Sequence, residues 1–177
     1  IATGLDVASE VPRGTHPMLD PLYGSSAVDI RHDPIRLTRL ERLAELAAAP
    51  LGVARLVVCL AYPGPPRLNC GECEKCVRTM TQLLAIGRLE DARSFPHRDV
   101  PPERIRSVPI GPVEAQYYVE ALPGLAQHGR GDLVAAIEAM LIDAEYMADL
   151  TANVLQALSG LMVWAWPPRL PAQFLLE

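Results

Sequence analysis

The sequence predicts an α/β arrangement over residues 1–90, followed by an α-helical extension over residues 91–177. Two observations lead there. Short apolar or β-branched runs alternate with segments of helical periodicity in the first half, and an Ala-rich helical pattern fills the second. A third, the cysteine spacing, adds a metal knuckle at the edge of the α/β part.

In chain order, residues 1–7 read as a short buried strand ending near Asp6, and residues 12–17, with two prolines and a glycine, as turn material. Ala27 to Ile30 reads as a second short strand running into a loop at His32, Asp33 and Pro34. Thr38 and Glu41 have the spacing of a capping box, in which hydroxyl and carboxylate satisfy the first free amides of a helix, so a helix is expected from there to about Ala49, stopped by Pro50. Leu56 to Leu60 has the composition of a core strand and carries Cys59. Beyond a proline-rich loop, Val77, Met80, Leu83 and Leu84 repeat at helical spacing, and Gly87 falls where a left-handed cap would end that helix. Composition changes after Leu89, which places a boundary near residue 91, and from Glu114 the pattern is helical to about Leu161. Leu133, Ile137, Met140, Leu141 and Ala144 form an apolar stripe, expected to pack on the first domain or to join two copies of the chain.

Composition excludes several classes. A chain of 177 residues, half of them hydrophobic, is long enough to bury a core. A net charge of -5 argues against broad electrostatic capture of nucleic acid, which needs a basic surface. No secretory or transit signal is visible from Ile1 onward, so the chain reads as cut into rather than begun. The uncharged stretch from Leu150 to Trp166 is short of the ~20 mainly apolar residues of a spanning helix and carries several polar residues, so no membrane is expected.

The four cysteines carry the chemistry. Cys59-x10-Cys70-x2-Cys73-x2-Cys76 brings three thiols within seven residues, a spacing that suits convergence on one ion, and zinc is the expected metal. Two disulfides, an iron-sulfur cluster and four unligated thiols are the other readings of the same residues. A reducing, cytoplasmic setting follows from the zinc reading. Four thiolates on Zn²⁺ leave a charge of about -2 to be offset, and Arg67, Lys75 and Arg78 lie close enough in sequence to donate to the sulfurs or to the acidic residues nearby. With no position open to water, such a zinc is structural.

The segment from Asn69 to Thr79, with Cys59 before it, resembles the zinc-binding segment of the queuosine-pathway cyano-deazaguanine synthases and of related proteins in the PP-loop ATP pyrophosphatase superfamily. Residues 14–22 and 30–41 are similar too, so the likeness spans about residues 1–90. It implies the C-terminal part of a parallel-sheet nucleotide alpha hydrolase-like domain that binds ATP and Mg²⁺ and adenylates a small-molecule substrate. The superfamily's S-G-G-x-D-S phosphate loop is absent, which implies an ATP-binding half that is missing or on another chain. By the same resemblance Arg39 would contact pyrophosphate, a role that suits a helix N-terminus. His16 and Asp20 would orient substrate or Mg²⁺, and Asp6 would lie at a strand's carboxyl end, where open α/β sheets bind ligands. The alternative function is a non-catalytic, zinc-stabilised binding or scaffold module.

Overall fold

The structure, a computed structural model, describes residues 16–31, 36–49, 51–66 and 68–144. The regular structure among those residues is all helical, and no strand or sheet occurs among them. The α/β parallel-sheet expectation is therefore corrected.

Helix α1 spans Arg39–Ala48 and begins as its capping box dictates: the Thr38 hydroxyl accepts from the Glu41 amide at 3.2 Å, and the Glu41 carboxylate accepts from the Thr38 amide at 2.7 Å. It stops at Ala49, one residue before Pro50. Helix α2 spans Glu74–Ala85 and is buried on nearly every face, which its mixed sequence does not advertise. Gly87, at φ +66°, closes it. The Gly87 amide donates to the Leu84 carbonyl and the Arg88 amide to the Leu83 carbonyl, the paired bonds of a Schellman end. Two helices follow that start with proline, whose fixed φ and missing amide suit a first turn: α3 (Pro102–Ser107) and α4 (Pro112–Gln127). Gly129, at φ +72°, ends α4 with the same paired bonds, so the expected long C-terminal helix is interrupted before α5 at residues 131–144.

Ile1–Met140 forms one compact unit and Leu141–Glu177 another; of the second, only residues 141–144 are described, and they are helical. In the first unit α2 packs against α4 and α1. Val77, Met80 and Leu83 of α2 are buried, as are Leu43, Tyr118, Ala121, Leu125, Leu133 and Ile137. The α2–α4 crossing is close. A Cβ at Gly124 would run into the backbone carbonyl of Ala85, so only glycine fits there. Residue 91 lies inside this unit, at the end of a short 3-10 turn, Leu89–Asp91.

Each expected strand has its own outcome. Residues 1–7 lie outside the described residues. Ala27 to Ile30 begins inside a tight turn in which Ser25 and Val28 exchange backbone bonds of 2.9 and 3.3 Å, with Val28 exposed. Leu56 to Leu60 is irregular, and Val57 and Leu60 face solvent. Its backbone is satisfied by a side chain: Asn69 Oδ1 accepts from the amides of Val58 at 2.9 Å and Cys59 at 3.2 Å, and Asn69 Nδ2 donates to the Leu56 carbonyl at 2.8 Å. A buried amide side chain thus takes the place of a neighbouring strand. Apolar runs this short carry no periodicity that would have told the two apart.

Candidate metal centre

Cys59, Cys70, Cys73 and Cys76 come together, their Sγ atoms all within 4.8 Å of one another. All four are free thiols, which removes the disulfide reading. Sγ of Cys70 and Cys76 stand 3.8 Å apart, far beyond a disulfide bond of ~2.05 Å. That spacing matches the ~3.8 Å edge of a tetrahedron with metal-sulfur bonds of ~2.3 Å.

The local sequence explains the convergence. Cys73 is the N-cap of α2 and Cys76 lies in its first turn, so one helix start holds both. Cys70 lies a tight turn earlier and accepts from the amides of Glu72 at 3.4 Å and Cys73 at 3.3 Å. That turn needs Gly71, whose φ of +77° favours glycine and whose missing Cβ leaves room for His97 and Pro96. Cys59 arrives from the irregular segment that Asn69 holds.

Burial pushes the Cys76 thiol well above the ordinary thiol range; a backbone hydrogen bond from Gly71 opposes this, while the Cys73 and Cys70 thiols reinforce it. Without a metal, Cys76 is therefore a neutral thiol, and metal binding must displace its proton.

Arg67 lies outside the described residues. Arg78 is buried and meets the acidic partner among the two kinds expected: its Nε stands 3.1 Å from Glu74 Oε1, a charge contact without hydrogen-bond alignment, and its guanidinium lies 4.4 Å from the centroid of Tyr117. Arg104 of α3 also reaches the knuckle: its Nη1 donates to the Gly71 carbonyl at 3.2 Å and lies 3.6 Å from a Glu72 carboxylate oxygen. Arg104 lies thirty-three positions after Gly71, so no local motif points to it. Asn69 is the other residue the spacing argument left without a role.

The remaining site residues fall into separate sets. His16 and Asp20 are brought together in one turn: the His16 amide donates to Asp20 Oδ1 at 3.2 Å, and Asp20, buried, opens a 3-10 turn, Asp20–Tyr23. Arg39 crosses from α1 to α2, donating from Nε to Gln82 Oε1 at 3.2 Å and from Nη2 to Thr79 Oγ1 at 3.3 Å, with its guanidinium 5.7 Å from the centroid of Tyr117. Burial, and next the nearby Arg78 charge, pull its pKa below the ordinary arginine value. Glu74, beside Arg78, is pushed up mainly by burial. Asp6 lies outside the described residues.

Fold and site together define a chain, helical in its described residues, with a four-cysteine cluster able to hold one metal ion. No family model, curated protein or solved structure matches it. Among the described residues no helix is long and apolar enough to cross a membrane.

Proposed function

We propose that the chain is a zinc-stabilised helical binding module whose metal is structural. The observation that carries this reading is the closed donor set: four thiols, all within 4.8 Å, fill a tetrahedral ion completely. Cys59, Cys70, Cys73 and Cys76 would hold the ion. When bound, the zinc supplies a cross-link between the segment carrying Cys59 and the start of α2, with no position for water or substrate. The sulfur spacing favours a single ion over an iron-sulfur cluster, which holds its thiolates around several metal atoms. Exposure of Met18, Leu22 and Tyr23, each at least 70%, supports a binding role, since large apolar side chains grouped on a surface mark contact sites.

Metal analysis of the purified protein tests it. One zinc per chain in a colourless protein is expected, and Cys73→Ser should lose the metal and melt at lower temperature. A brown protein with visible absorption would replace zinc by an iron-sulfur cluster. A fully stable, metal-free Cys73→Ser chain would remove the structural role. Conversion of ATP to AMP and pyrophosphate, by this chain alone or with a partner subunit, would replace the module by part of an adenylating enzyme.

A further inference from the structure

We infer that Asn69 is a positioning residue that sets the coordination number of the metal, by delivering Cys59 as the fourth thiolate; the inference rests on the metal reading above. Three of the ligands need little help. Cys70, Cys73 and Cys76 fall within seven residues, Cys73 and Cys76 at the start of α2 and Cys70 in the turn before it, where its sulfur accepts from the amides of Glu72 and Cys73. Cys59 has none of these. It comes from an irregular segment with no strand beside it among the described residues, and ten residues separate it from Cys70.

What holds that segment is the Asn69 side chain, itself fully buried. Its carbonyl oxygen takes the amides of Val58 and Cys59, and its NH₂ group gives to the carbonyls of Leu56 at 2.8 Å and Ser94 at 3.2 Å. All four hydrogen-bonding positions of the amide are filled, and the two kinds of partner leave one orientation for it. Ser94 Oγ adds a 2.6 Å bond to the Leu56 carbonyl, tying the same segment to the chain beyond α2. Asn69 is also covalently next to Cys70, so one residue sets the backbone on both sides of the cluster. Removing its amide frees the Cys59 backbone and leaves a three-thiolate knuckle open to water.

The test uses the full chain as wild type, Asn69→Ala, Cys59→Ser and the double variant. Zinc affinity is read by chelator competition, and Co²⁺ substitution reports thiolate number through its visible spectrum. Asn69→Ala should bind roughly 10–100-fold more weakly, the usual cost of losing a residue that orients a ligand, and its cobalt spectrum should be that of three thiolates. In the Cys59→Ser background the same substitution should cost little more, because its effect passes through Cys59. A four-thiolate spectrum with wild-type affinity overturns the inference, and so does an undiminished cost in the Cys59→Ser background, which marks general loss of fold. Should the alanine chain not fold, hydrogen exchange of the Asn69 side-chain NH₂ in zinc-loaded wild type decides. Slow exchange supports the inference, and exchange at the rate of a free amide overturns it. Failure of wild type to bind any metal strikes the module reading, whereas wild-type binding with an indifferent Asn69→Ala strikes only this inference.

Discussion

Arg39 shows how a single residue's role follows from what surrounds its charged end. A first-turn arginine is ordinarily solvated, yet here the guanidinium reaches α2 and gives two hydrogen bonds to Gln82 and Thr79, both buried. Removing it strands two buried acceptors, at a cost of about 1–3 kcal/mol. Arg39→Ala is therefore expected to lower the unfolding free energy by an amount in that range, read as a fall in the urea midpoint at unchanged slope. An unchanged midpoint would mean that water serves Thr79 and Gln82 equally well. Arg78 is more deeply buried, and its charge is met by Glu74 and the Tyr117 ring. Neighbouring like charges at Arg39 and Arg78 are tolerated because that aromatic face lies against both.

The elements divide by whether their determinants are local. Helix α1 was legible because Thr38 and Glu41 satisfy its first amides within four residues, and Thr38→Ala should cost about 1 kcal/mol in thermal or chemical unfolding. The end of α2 was legible for a similar reason, since Gly87 alone supplies the left-handed turn. Cysteine spacing likewise read out the metal cluster, whose three knuckle ligands are set within seven residues. The segment from Leu56 to Leu60 was not legible, because its hydrogen-bond partner is one side chain beyond a proline-rich loop. Nor was the contribution of Arg104, which depends on α3 packing back on the knuckle. Gly124 is of this second kind. In sequence it weakens an Ala-rich helix, and in the fold it admits the Ala85 carbonyl. Because a backbone carbonyl cannot swing aside as a side chain end can, Gly124→Ala should destabilise by about 1–3 kcal/mol despite its better helix propensity. A stabilised variant would show that α2 and α4 separate without cost.

At the scale of the whole molecule, a metal held by the four thiols would compete with protons for them. Burial raises the Cys76 thiol above its unfolded value, so the metal-free fold carries Cys76 neutral. Stability linked to a raised pKa is fully present below the unfolded pKa and is lost as pH rises through the folded one. Acid therefore does not weaken the metal-free fold through Cys76. The metal-bound fold behaves oppositely, since each thiol that enters the ion's shell gives up a proton, and affinity falls by up to about tenfold per pH unit for each proton displaced. Because metal binding adds to folding stability by mass action, the melting temperature with zinc present should drop as pH falls below neutrality. With a strong chelator present throughout, that part of the acid dependence should vanish, leaving a lower melting temperature whose remaining change with pH comes from the carboxylates. Melting curves measured with and without chelator across the acid range should accordingly converge as pH falls. Curves that stay parallel would mean that the four thiols hold no metal that matters to the fold.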